Sequence, residues 1–221
     1  MRYNNSMNLF IAIAICFIPL VIGIIIAIIC VKEYKIYHSL IAILLGFLAI
    51  FLIILVRTLV NDFIGFLIPK TLHIFFAFII STIFFAFIEE TVKMLFCSLL
   101  PKAKITLKTF MINCLVFGAA IGCFETVMYL VTGYETIFRL FTAVIIHAAC
   151  AVLSGYFVWA VYSKVKFTRV FLFSILMHGL YNFFASQDKE FSWISIVIVL
   201  FALHKARLYY STIKEKASKW S

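Results

Sequence analysis

The sequence has 221 residues, 66% of them hydrophobic and 13% charged, with a mean hydropathy of +1.16. This composition excludes a soluble globular domain, so residues 1–221 read as one integral membrane domain of all-α class. The net charge of +10 sits mostly in short loops beside apolar runs, where it sets orientation, and nucleic acid is not expected as a partner.

In chain order, hydropathy predicts spans near 8–31, 38–56, 72–99, 109–131, 140–162, 169–186 and 191–209, a polytopic transmembrane helix bundle of about seven spans in a lipid bilayer. The first run is too long for the apolar region of a signal peptide and ends without a small-residue cleavage site, so it is expected to be retained. Between the second and third spans, "TLVNDFIGFLIPK" (58–70) is apolar but interrupted by Asn61, Asp62, Gly65 and Pro69. It reads as a connecting loop, with an interfacial or re-entrant segment as the alternative. Loops of one set, with the tail at about 205–221, carry thirteen basic residues; the opposite set carries five, at Arg2, Arg57, Lys70, Arg139 and Lys189. The positive-inside rule then predicts an external amino terminus and a cytoplasmic carboxyl terminus. The six cysteines, Cys16, Cys30, Cys97, Cys114, Cys123 and Cys150, lie in apolar runs with no close C-x-x-C pair and read as buried thiols.

Three acidic residues fall inside spans: Glu89, Glu90 and Glu125. An ionised group near the bilayer centre costs roughly 2.5 to 3.5 kcal/mol even on insertion scales, so something must offset it. In "FAFIEETVKML" (85–95), Lys93 stands i,i+4 from Glu89 and i,i+3 from Glu90. It can neutralise one carboxylate, while the other points about 100° around the helix toward another partner. The alternative reading is a buried ion pair that only pins helix packing. In "GAAIGCFETVMYL" (118–130), Gly118, Gly122, Glu125 and Tyr129 share one helical stripe. The two glycines allow a neighbouring helix to approach closely, which is a packing signal before it is a chemical one. Tyr129 is also placed to be an interfacial aromatic.

His147 in "VIIHAACAVLSGYF" and His178 in "ILMHGLYNF" lie deep in the next two spans, with Asn182 i,i+4 from His178 and able to orient it or a substrate peptide group. One intramembrane histidine is commonly a packing residue; two, with three glutamates on four consecutive spans, indicate a site. His38, His73 and His204 fall near span ends and receive no role.

The order "EETVK", "GAAIGCFETVMY", "HAACAVLSGY", "HGLYN" resembles the PrsW family of bacterial intramembrane proteases, within the wider superfamily of CAAX-processing and bacteriocin-processing proteases. The motif-bearing core is about 72–186. The resemblance implies catalytic roles for Glu89, Glu90, Glu125, His147 and His178, with Lys93, Asn182 and Tyr129 supporting. Thr126 departs from the asparagine common in the family. It further implies a bacterial cell-membrane location and the first, extracytoplasmic-side cut in a single-span anti-sigma factor during a stress response.

Peptide hydrolysis needs an activated water, an oxyanion stabiliser and an acid for the leaving amine. Two versions fit. In the metal-free one, favoured on the sequence, Glu89 or Glu90 is the general base, His147 and His178 polarise water and stabilise the oxyanion, and Lys93 holds the second carboxylate. In the other, His147, His178 and Glu89 bind zinc. A proton-coupled carrier or channel, or a non-catalytic scaffold of the same superfamily, are the rivals; the lack of repeated halves and the complete candidate set speak against them.

Overall fold

Pro19 decides how the chain enters the bundle. Lacking an N–H and clashing with the carbonyl four residues back, it breaks the first apolar run into α1 (Leu9–Cys16) and α2 (Ile18–Cys30) at Phe17. Together they still form one membrane-length apolar segment, Leu9–Ile29. This computed structural model describes residues 9–31, 34–67, 74–102, 105–132, 137–164, 169–187 and 189–218.

The remaining helices are α3 (Ile36–Leu67), α4 (Ile74–Leu99), α5 (Leu107–Val131), α6 (Ile137–Tyr162), α7 (Arg169–Ala185), the single turn α8 (Lys189–Ser192) and α9 (Ile194–Ser218). Every described element is helical, as expected for the bundle. Among the described residues, five segments are long and apolar enough to cross a membrane: Leu9–Ile29, Ile36–Asn61, Leu107–Val131, Thr142–Tyr162 and Ile194–Ser211. Helix α7 is apolar but shorter, and α4 carries Glu89, Glu90 and Lys93 in its second half. Thr106 caps α5 by accepting from the Thr109 N–H.

Two boundaries differ from the hydropathy reading. The 58–70 segment is not a loop over its first ten residues: α3 runs on to Leu67, a length of roughly 48 Å at 1.5 Å per residue. Backbone hydrogen bonding continues through Asn61, Asp62 and Gly65 because none of them breaks a helix; Pro69 and Lys70 lie outside the described residues. Likewise α9 continues to Ser218, into the basic tail.

Helices α5 and α6 pack most extensively, and α6 also meets α4, α7 and α9, so it is the axis of the bundle. Helix α3 lies on α5 through small residues: Ala42 and Ala49 are fully buried, and a Cβ on Gly46 would come within 2.9 Å of Ala120 on α5. Two apolar clusters flank α6. The outward faces carry large aliphatic and aromatic side chains such as Phe10, Ile29, Phe51 and Leu172, as a lipid-facing surface should. Cys16, Cys97, Cys114, Cys123 and Cys150 are buried free thiols.

Candidate functional site

Consecutive residues on a helix point about 100° apart, and on α4 this separates two neighbouring carboxylates. Glu90 faces α6 and α7. Its Oε1 lies 2.6 Å from Lys93 Nζ and 2.7 Å from His178 Nδ1; its Oε2 accepts from Ser174 Oγ at 2.6 Å and Ser154 Oγ at 3.3 Å. Glu90, Lys93, Ser154 and Ser174 are all fully buried, so the ion pair is set in a buried hydrogen-bond network that occupies both Glu90 oxygens. Glu89 faces α3, where Arg57 Nη1 donates to its Oε1 at 2.9 Å, and its Oε2 stands 3.4 Å from His178 Nε2. Of the two spacings open to Lys93, the structure uses the i,i+3 pair with Glu90.

The α5 glycines bring the second histidine into place. A Cβ on Gly122 would stand 2.6 Å from Val144 Cα of α6, and one on Gly118 would stand 2.8 Å from Ala148 Cα; any side chain there would hold the helices apart. With the helices this close, Glu125 Oε2 meets His147 Nε2 at 2.5 Å. The His147 and His178 rings then stack edge to face with centroids 4.9 Å apart.

Each histidine therefore gives one ring nitrogen to a carboxylate, His147 Nε2 to Glu125 and His178 Nδ1 to Glu90. Carboxylates accept, so the ring protons belong on those nitrogens, and the opposite nitrogens carry lone pairs. Those nitrogens, His147 Nδ1 and His178 Nε2, are buried without a hydrogen-bond partner. Donor atoms from Glu89, His147 and His178 all lie within 4.8 Å of one another. Two neutral imidazoles and a carboxylate, each imidazole backed by a second carboxylate, are a donor set that suits zinc. Charge points the same way: three carboxylates here face two fixed cations, Arg57 and Lys93.

Among the described residues a cavity of about 330 Å³ lies against Arg57, Thr58, Asn61 and Phe85, and two others border Glu125. One of about 280 Å³ lies between α3 and α5, against Ile50, Ile53, Ile54 and Met128 and reaching Glu89. The other, about 240 Å³, lies between α4 and α7, against Phe78, Ser81, Thr82, Phe85, Asn182 and Ser186. Arg57, Glu125 and Tyr129 border both.

All five sequence candidates, Glu89, Glu90, Glu125, His147 and His178, come together with Lys93. Asn182 does not orient His178: among the described residues no hydrogen bond joins them, and Asn182 lines the second cavity instead. Tyr129 also borders the cleft. Thr126, at the departure from the family pattern, is buried and donates to its own helix at Gly122 O, 2.7 Å away. Sequence reasoning missed Ser154 and Ser174, and placed Arg57 in an outer loop. A signal for Arg57 existed: it lies i,i+4 from Ile53, continuing the stripe of Ala42, Gly46, Ala49 and Ile53 that packs on α5.

Residues 35–205 match the family described as PrsW family intramembrane metalloprotease. No curated protein and no solved structure matches the chain.

Proposed function

The chain belongs to the PrsW family of intramembrane metalloproteases, an integral membrane protease, and from that premise we propose that Glu89, His147 and His178 hold zinc and that the cleft above them hydrolyses a peptide bond of a single-span membrane protein. The observation that carries the reading is the pair of buried, unpartnered nitrogens beside the Glu89 carboxylate. Zinc, when bound, supplies a Lewis acid that activates water and polarises the scissile carbonyl.

The chain's own groups do the rest. Glu125 and Glu90 fix the ring orientation and tautomer of His147 and His178. Glu125 also borders both cavities, so it is placed to take a proton from the attacking water and return it to the leaving amine. Asn182, in the wall of the second cavity, orients a peptide group of the substrate. Lys93, Ser154 and Ser174 keep Glu90 in position. The metal-free version favoured on the sequence loses Glu90 as a base, because its oxygens are already occupied by these donors and by His178. The resemblance extends the proposal to an anti-sigma factor as substrate, cut first on its extracytoplasmic side.

Co-expression with candidate single-span proteins tests the activity. A cleaved fragment should appear with the wild type and vanish with Glu89→Gln and His147→Ala at matched abundance. Purified protein should hold about one zinc per chain, and chelation should stop cleavage until zinc is returned. Undiminished cleavage by His147→Ala would end the site assignment; undiminished cleavage by metal-stripped protein would end the zinc reading alone.

A further inference from the structure

The two cavities that border Glu125 are unlike in chemistry, and they meet at the reacting groups. Beyond Arg57, Glu89, Glu125 and Tyr129, the α3/α5 cavity is walled by Ile50, Ile53, Ile54, Met128 and Thr132, so that this side offers branched aliphatic surface and a thioether with a single hydroxyl, which is given to the Met128 carbonyl at 2.9 Å. The α4/α7 cavity has four polar side chains, Ser81, Thr82, Asn182 and Ser186, beside two phenylalanines. Its hydroxyl protons are already given to the helices that bear them: Ser81 Oγ to Phe78 O at 2.9 Å, Thr82 Oγ1 to Phe78 O at 2.7 Å and Ser186 Oγ to Phe183 O at 2.8 Å. What these hydroxyls have left to offer is lone pairs, so they accept from a donor.

Arg57 stands between the two. Its guanidinium is tied to Glu89 at 2.9 Å and lies over the Phe85 ring at 4.8 Å, and with Glu125 and Tyr129 it borders both cavities. A peptide whose scissile bond lies over Glu89 and Glu125 must therefore place the residues before and after that bond on opposite sides of Arg57. Placing a polar side chain against the isoleucines, or an aliphatic one against the hydroxyls and the Asn182 amide, penalises the reversed placement.

Resting on the protease reading above, we propose that the cleft is two-sided: the residue on one flank of the cut is a large aliphatic held by Ile53, Ile54 and Met128. The residue on the other flank is a hydrogen-bond donor, such as serine, threonine, asparagine or glutamine, held by Ser81, Thr82 and Asn182. Specificity is set by these six residues, which lie outside the metal-binding set.

The test uses full-length protein in liposomes with single-span substrates randomised at the two residues flanking the cut, the fragment ends being sequenced. Wild type should select an aliphatic on one flank and a donor on the other. Met128→Trp, filling the first cavity, should lower cleavage of large aliphatics roughly 10-fold relative to alanine at one flank only. Ser81→Trp should change selection at the opposite flank only. Ile54→Ser and Thr82→Val make the same comparison with smaller changes, should a tryptophan prevent folding. A wild type without flank preference, two variants acting on the same flank, or four variants leaving the profile unchanged would overturn the proposal. Cleavage surviving His147→Ala would instead strike the protease site itself, a separate outcome.

Discussion

Arg57 of α3 donates to Glu89 of α4 at 2.9 Å across 32 residues of sequence, while Lys93, one turn from Glu89 on the same helix, is turned away to Glu90. The division of cations gives the adjacent carboxylates different surroundings. Glu90 is sealed within the bundle; Glu89 keeps one oxygen toward the histidines and shares its cation with the cleft, since 41% of the Arg57 side chain is exposed.

Arg57→Ala is expected to lower kcat by roughly 10²-fold, the scale of losing one preorganised donor, with KM changed much less. Arg57→Lys keeps a cation for Glu89 and should retain most of the rate. Steady-state cleavage in liposomes, at matched abundance, decides it. Equal losses in both variants, with lowered thermal midpoints, would mark Arg57 as a packing residue only.

Glu90→Gln should behave unlike Glu89→Gln. It leaves Lys93, fully buried, without its counter-charge, and breaking a buried pair from one side destabilises by about 3 to 5 kcal/mol. Glu89→Gln leaves behind Arg57, which cleft water can solvate. The first variant should therefore be scarce and melt early in detergent, and the second should be abundant and inactive. Equal abundance and equal melting would mean that the Glu90 network is not what holds α4, α6 and α7 together.

Much of this site was legible because buried charge in a membrane helix is rare enough to be a signal by itself. Glu89, Glu90, Glu125, His147 and His178 all stood out against their apolar surroundings, and the Gly118/Gly122 spacing announced the α5–α6 approach that the structure contains. Arg57 failed for the same reason the others succeeded. A hydropathy window sees Arg57, Asn61 and Asp62 as the end of a span, yet none of them breaks a helix and α3 continues to Leu67, with the Arg57 charge met by Glu89 on another helix. Spacing along α4 left Lys93 two acceptors; the choice between them was made by α3. Which ring nitrogen of each histidine stays free was likewise decided by partners on other helices.

Gly122→Val should separate chemistry from folding on the α5–α6 contact. A Cβ there would stand 2.6 Å from Val144 Cα, a backbone atom that cannot rotate away, so α5 must shift and carry Glu125 from His147. Overpacking of this kind costs about 1 to 3 kcal/mol. The expected outcome is a protein that still accumulates but binds zinc about 10 to 100-fold more weakly, as when a partner of a ligating histidine is lost. Competition with a chromophoric chelator measures it, and unchanged zinc affinity would uncouple the helix contact from the site.

The cut is expected close to the extracytoplasmic face. In the topology that the basic loops predict, α5 ends and α6 begins on the outer side. Glu125 precedes the end of α5 at Val131 by six residues and His147 follows the start of α6 at Ile137 by ten, depths of roughly 9 and 15 Å at 1.5 Å per residue. Arg57 lies four residues before Asn61, where the membrane-length apolar part of α3 ends, a depth of roughly 6 Å on the same side, and its bond to Glu89 brings α4 to the outer half. Irregular backbone is tolerated at such depth only inside protein or a wetted cleft, which suits an unwound juxtamembrane strand of substrate. Two measurements check this. Reporter fusions at 101–108 and 163–168 should both report cytoplasm, and the new amino terminus of the membrane-retained fragment should map near the substrate's outer interface. An external signal at either loop would reverse the topology, and a first cut in the substrate's cytoplasmic segment would show that the cleft opens inward.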